Sequence, residues 1–294
     1  INHSLSHTNL ELEARIVPNF YSKITRDNFT DVIKRLKGYG LENITSSNND
    51  SLDITIEKNN IRVSVNGKDA INEYCITNDL NKIKKDVRMM EKKRFSNKGN
   101  ELKGIDVKDF NFRLNLKEEN NIKSTSRIFT NILTENQKLQ KLFRYKKRFS
   151  FLSSDKIFRF DLTMIKSSSK KEIKINASQK AKKDINNRDK KLVKKPNNSQ
   201  SFNDWWQSLS NTSMVNLRDN TYFKSLFFKN LEDSKTLENP LEYEIEVELV
   251  EKDKMNKNDI YEKLLDNLTI ILQAINKNEF ITSELTMKDV KKQF

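Results

Sequence analysis

Glu244, Glu246 and Glu248 alternate with Ile245, Val247 and Leu249 late in the chain. Near its start, Glu11, Glu13 and Arg15 alternate with Leu12, Ala14 and Ile16. A strand sends successive side chains to opposite faces, so each segment carries its charges on one face and its aliphatics on the other. Glutamate is depleted in strands, and three on one face repel one another unless positive charge lies opposite. One such segment alone reads as an ordinary strand with a wet face. Two of them side by side would form an all-oxygen cage suited to a hard divalent cation, Mg²⁺ or Mn²⁺.

A matching set of cations lies between them. Arg144, Lys146, Arg148 and Ser150 share one face of the segment 142–152. In 156–165, Arg159, Asp161 and Thr163 alternate with Phe158, Phe160, Leu162 and Met164. The two segments form a hairpin turned at Ser153-Ser154-Asp155. Arg62 lies in 61–65, Lys92 in 87–95, and Arg113 in an alternating run (110–116) whose parity continues to Lys117 and Glu119. Carboxylates on one wall and cations on another suit a metal-bound polyphosphate, hydrolysed by in-line attack of water. No Gly-x-x-x-x-Gly-Lys loop occurs and the chain has 5 glycines, so phosphates must be held by side chains.

The elements that must position these groups are mostly strands. Besides those above, 9–17, 51–57 and 61–65 alternate, giving about eight strands joined by short, mostly antiparallel links. The expected fold is α+β, mainly β: a closed antiparallel barrel with a charged lumen, braced by outer helices. One helix is expected over 25–37, capped by Thr25, with Phe29, Val32, Ile33 and Leu36 as its apolar stripe and Gly38 and Gly40 beyond it. Another is expected over 257–276, and 69–75 forms a short helix or turn. The tract 167–240 interrupts this pattern with Lys, Asn and Ser and reads as an insertion in a single domain spanning 1–294. Its aromatic segments 202–209 and 221–231, with Trp205, Trp206, Phe223, Phe227 and Phe228, are expected to be short helices.

The 294 residues carry a net charge of +14, which favours polyanionic partners. Cys75 is the one cysteine, which excludes an intrachain disulfide and a cysteine-based zinc site. No apolar run is long enough to span a bilayer and no signal peptide is evident, so a cytoplasmic, reducing setting is expected. His3 and His7 have helical spacing but are weak evidence of a metal site.

Glu-Leu-Glu-Ala-Arg at 11–15 and Glu-Ile-Glu-Val-Glu at 244–248 resemble the two glutamate motifs of the triphosphate tunnel metalloenzymes. The segments 144–150 and 159–163 resemble the basic strand and the Arg-x-Asp-x-Thr strand of one branch, the metal-dependent RNA 5′-triphosphatases of fungal and large DNA virus mRNA capping enzymes. Ser51–Thr55, Ile61–Ser64 and Gly104-Ile105-Asp106 are similar to the viral members. The resemblance covers most of 9–165 and 240–285. It implies that Glu11, Glu13 and Glu248 bind Mg²⁺ or Mn²⁺ and that Glu246, with Glu119, orients the attacking water. Arg62, Lys92, Arg113, Arg144, Lys146, Arg148 and Arg159 would contact phosphates or brace the glutamates, with Arg148 and Arg159 placed nearest the chemistry. Arg15, Asp161 and Thr163 would support them, and Glu244 would pair with a cation.

The implied reaction removes the γ-phosphate from triphosphate-ended RNA, leaving a diphosphate end for capping. No Lys-x-Asp-Gly signature of a guanylyltransferase occurs, and the chain begins at Ile1. The resemblance therefore implies the N-terminal part of a longer viral or fungal-type capping enzyme, with guanylyltransferase in the same polypeptide. The alternatives are a tunnel enzyme for polyphosphate or free nucleoside triphosphates, and a basic module that binds RNA ends without chemistry.

Overall fold

The structure, a computed structural model, describes residues 9–17, 23–57, 61–97, 100–101, 104–107, 111–174, 213–216, 221–251 and 257–275. Its strands are β1 (Leu10–Ile16), β2 (Glu42–Asn43), β3 (Asp50–Ile56), β4 (Ile61–Asn66) and β5 (Val87–Arg94). There follow the short β6 (Ser96–Asn97), β7 (Asn100–Glu101) and β8 (Ile105–Val107), then β9 (Phe112–Asn121), β10 (Lys141–Leu152) and β11 (Phe158–Ser167). Last come β12 (Lys170–Lys174), β13 (Ser213–Asn216), β14 (Thr221–Ser225) and β15 (Glu242–Leu249). The helices are α1 (Arg26–Gly38), α2 (Lys68–Thr77), α3 (Arg127–Glu135) and α4 (Lys257–Ile275).

Eight strands close a barrel in the order β1, β15, β11, β10, β3, β4, β5, β9, and β9 pairs back to β1. Every pair is antiparallel. Closure removes the exposed edges that an open sheet of this length would present. β2 extends the edge of β10 and β8 that of β9.

The alternation read in the sequence decides what each face does. Leu12, Ala14 and Ile16 of β1, Phe158, Phe160 and Leu162 of β11, and Ile245, Val247 and Leu249 of β15 enter one core with Phe29, Val32 and Leu36 of α1. α4 covers the same core with Ile260, Leu264, Leu268 and Ile271, all nearly inaccessible. Leu52, Ile54, Val63, Val65 and Met89 form a second core with Tyr74 of α2 and Phe129, Ile132 and Leu133 of α3. Burying each large side chain of this kind contributes about 1.5–3 kcal/mol. Glu11, Glu13 and Arg15 of β1, Asp53 of β3, Arg159 and Asp161 of β11, and Glu244, Glu246 and Glu248 of β15 fall at the intervening positions, on the face turned away from the helices, whereas Asp50, Glu91, Lys93 and Lys166 share the parity of the core residues.

Local signals set the frame. Thr25 Oγ1 accepts from Asn28 N (3.1 Å) and Asn28 Oδ1 accepts from Thr25 N (3.2 Å), a reciprocal cap that starts α1. At the β10–β11 turn, Asp155 Oδ1 accepts from Ile157 N (3.0 Å) and Ser153 Oγ accepts from Phe158 N (2.9 Å). Lys263 of α4 donates to Asp155 Oδ2 (2.5 Å), which ties the outer helix to the basic hairpin.

One expectation is overturned, and one helix lies outside those expected. Residues 221–231 are not helical: Thr221–Ser225 is strand β14, which joins β12 and β13 in a separate three-stranded sheet, and Phe228 forms an isolated bridge with Lys141. Thr221-Tyr222-Phe223 is β-branched and aromatic, a composition that favours a pleated strand. Helix α3 was not foreseen, although Ser126 caps it by accepting from Phe129 N (3.2 Å) and Phe129, Ile132 and Leu133 make a helical stripe. Residues 202–209, His3, His7, Phe110 and the lysines at 190–195 lie outside the described residues.

Candidate active site

The strands with the glutamate motifs are neighbours. Across β1 and β15, Glu13 is the register partner of Glu248, and Arg15 of Glu246. Across β15 and β11, Glu248 faces Arg159, Glu246 faces Asp161, and Glu244 faces Thr163. β10 lies on the far side of β11, opposing Arg148 to Thr163 and Ser150 to Asp161. The two ends of the chain therefore meet beside the basic hairpin.

Ion pairs run through this face. Arg15 donates to Glu246 through Nε (2.8 Å) and Nη2 (2.5 Å), and to Glu244 through Nη1 (3.4 Å). Arg144 Nη2 reaches both oxygens of Glu244 at 3.0 Å. Buried Asp161 accepts from Arg148 (2.9 Å), Arg159 (3.1 Å) and Ser150 (2.6 Å), and Arg148 also donates to Thr163 (3.2 Å). Arg159 Nη2 reaches Glu248 at 2.5 Å. Lys92 bridges Glu11 (2.6 Å) and Glu119, and Lys117 pairs with Glu13, which also accepts from Asn115 (3.0 Å). On the opposite wall, Asp53 holds Lys146 (2.5 Å), Arg62 (3.6 Å) and the Ser64 hydroxyl (2.7 Å).

These neighbours sort the carboxylates into two kinds. Burial works against ionisation of Glu246, yet Arg15, Arg148 and Lys117 together hold its pKa down at about 2. Asp53 is likewise held at about 2, where Lys146 and Arg62 outweigh burial. Glu248 goes the other way: burial, with the charges of Glu11 and Asp161, lifts it to about 7 despite Arg159. Burial also raises Glu11, while its hydrogen bond and Lys92 hold Glu119 down. Lys146 is lowered to about 8 by burial and by Arg148, Arg62 and Arg144, against the pull of Asp53.

Of the residues implied as metal ligands, each meets a cation: Glu11 with Lys92, Glu13 with Lys117, Glu248 with Arg159. Among the described residues, no group of three or more His, Cys, Asp or Glu side chains is arranged to hold a metal ion. The donor chemistry nonetheless fits a hard cation. The set is all carboxylate, and Glu11 and Glu248 are raised first by burial and then by neighbouring acids, Glu119 for Glu11 and Glu11 and Asp161 for Glu248.

Arg113 stands apart from the other predicted phosphate contacts. It makes a two-pronged pair with Asp106 of β8, at 2.5 and 2.8 Å. Gly104 permits this approach, since a Cβ there would run into Asn115 Oδ1. Asp53 and Lys117 belong to the network although the sequence assigned neither a role. Asp53 could have been found from its place between Leu52 and Ile54, an acid on the same face as Thr55 and Ser51. No family model and no curated protein matches the chain.

Among the described residues, no helix is long and apolar enough to cross a membrane.

Proposed function

We propose that the charged face of the barrel lines a tunnel that removes the γ-phosphate from triphosphate-ended RNA in a divalent-metal-dependent reaction. The observation that carries this reading is the pairing of β1 with β15, which sets Glu13 opposite Glu248 beside the basic β10–β11 hairpin. Glu11, Glu13 and Glu248 would hold Mg²⁺ or Mn²⁺, which supplies Lewis-acid polarisation of a phosphoryl oxygen.

The chain's own residues do the rest. Arg62, Arg144, Lys146 and Arg148 neutralise phosphate oxygens, and the phosphate charge restores a full positive charge to Lys146. Arg159 lies beside Glu248, positioned to meet charge on the terminal phosphate. Glu246 stays ionised at neutral pH and accepts a hydrogen bond from the attacking water, aiming it at phosphorus, with Glu119 as a second acceptor. Asp53 and Asp161 keep the cations oriented, and Arg113, neutralised by Asp106, braces the wall. The diphosphate end produced is the acceptor that a guanylyltransferase consumes, and we place that activity in the same polypeptide, in a cytoplasmic setting.

All these contacts are to phosphates and none reads a base, which favours inorganic polyphosphate or free nucleoside triphosphates as the second reading. The test is phosphate release from γ-labelled RNA with Mg²⁺, Mn²⁺ or chelator. Metal-dependent release lost in Glu248→Ala is expected. Full activity in that variant would sink the proposal, and preference for tripolyphosphate over RNA ends would select the second reading.

A further inference from the structure

The two ends of the barrel differ. At the end where β10 and β15 begin, Arg144 and Arg15 both bind Glu244, bridging β10, β15 and β1. Ile165, on the same face as Thr163, is 1% exposed beside this bridge. At the opposite end β5 begins and β9 finishes, and Met90 pairs with Asn121. Here Lys82, Lys84, Lys85 and Arg88 lead into β5, and Lys123 and Arg127 follow β9. The start of β5 and the end of β9 lie side by side: Ile122 N donates to Met89 O (2.9 Å). All six cations are exposed, and none has an ion-pair partner among the described residues. Arg88 shares the face of Lys92, so it stands at the rim of the barrel.

Elsewhere on the charged face Arg15, Lys92, Arg144, Lys146, Arg148 and Arg159 are paired with acids; this rim offers its charge outward. We propose that it is the entrance of the tunnel and that the phosphates of the RNA leader, behind the 5′ triphosphate, run across these six side chains. This rests on the RNA 5′-triphosphatase reading. The bridge of Arg15, Glu244 and Arg144 narrows the far end, so the triphosphate enters head first from the rim while the leader stays outside it. The recognition is electrostatic and independent of sequence, because every contact is made to the phosphodiester backbone.

The test is a charge-reversed variant, Lys84→Glu/Lys85→Glu/Arg127→Glu, with Lys138→Glu at the opposite end of the barrel as control. Exposed positions of this kind change stability little. The triple variant is expected to raise KM for triphosphate-ended RNA about tenfold with kcat unchanged, and to flatten the salt dependence of KM. Hydrolysis of inorganic tripolyphosphate should not change, and the affinity for hydroxyl-ended RNA should fall in parallel. Lys138→Glu should do none of this. An unchanged KM for RNA in an active triple variant overturns the entrance while leaving the triphosphatase reading intact. Loss of hydroxyl-ended RNA binding in a protein that hydrolyses nothing retains the surface and removes the triphosphatase reading. Unchanged RNA affinity with lost binding of poly-glutamate assigns the rim to an acidic protein and overturns the proposal.

Discussion

Glu13 and Glu248 are register partners on neighbouring strands, yet they give their charges to different cations, Lys117 and Arg159. The charge of Glu11 also raises the pKa of Glu248, a repulsion that a divalent cation on this face would relieve. Glu248→Gln should cut the metal-dependent phosphate release by about 10²–10³ while leaving the fold intact. In chelator at neutral pH the same variant should melt higher than wild type, being more stable by on the order of 1–3 kcal/mol, because it removes a buried carboxylate lifted to about 7. Thermal melts in chelator and in Mg²⁺ check both statements. A lower melting point in chelator would mean that the pair with Arg159 outweighs the repulsion.

Lys92 sits between Glu11 and Glu119, and a bound metal would share Glu11 with it. Lys92→Met should therefore destabilise the metal-free protein and enlarge the rise in melting temperature on adding Mg²⁺. Equal metal-induced shifts in variant and wild type would show that Glu11 does not contribute to the metal site.

Asp53 is 2% exposed and anchors Lys146 and Arg62. Asp53→Asn strands two cations against each other and should cost on the order of 3 kcal/mol. The wild-type pair also has a pH signature. Its folded pKa of about 2 lies below the ordinary aspartate value of 3.8, so its stabilisation is present above that value and lost as pH falls toward 2. Acid unfolding of Asp53→Asn should show a shallower slope in that window, measured by denaturant titration at each pH.

Lys141 is fully buried, donates to Asn136 O at 2.8 Å, and has no carboxylate partner among the described residues. Burial lowers its pKa to about 8 from 10.5. The unfolded chain then holds more protons between these values, so stability should rise as pH increases from about 8 to 10.5. Lys141→Met should abolish the Lys141 part of that rise and gain stability at pH 7. Identical pH profiles for the two proteins would refute a charged, uncompensated lysine.

Much of this architecture was legible in the chain because strand alternation is a local property. Leu12, Ala14 and Ile16 against Glu11, Glu13 and Arg15 declare two faces with no knowledge of neighbours, and the Thr25 cap and the Ser153–Asp155 turn are local in the same way. The alternation also bears on the barrel: aromatic and aliphatic residues at every second position of the strands leave one face for helices to cover, and closure then removes the sheet edges and encloses the opposite face. Helix α3 had a readable stripe at Phe129, Ile132 and Leu133, whereas β14 turned on tertiary pairing of an aromatic segment with β12 and β13.

The partners of the charges were decided only by tertiary structure. That Lys117 takes Glu13, Lys92 spans Glu11 and Glu119, Asp53 gathers Arg62 and Lys146, and Asp106 claims Arg113 depends on register between strands far apart in sequence. The same register determines which carboxylate is held ionised and which is lifted. Glu246 and Glu248 have the same composition and are two residues apart, but Glu246 meets Arg15, Arg148 and Lys117, while Glu248 meets Glu11 and Asp161 as well as Arg159. Side-chain type fixes what a group can do; the distance and burial of its neighbours, which only the closed barrel supplies, fix its charge.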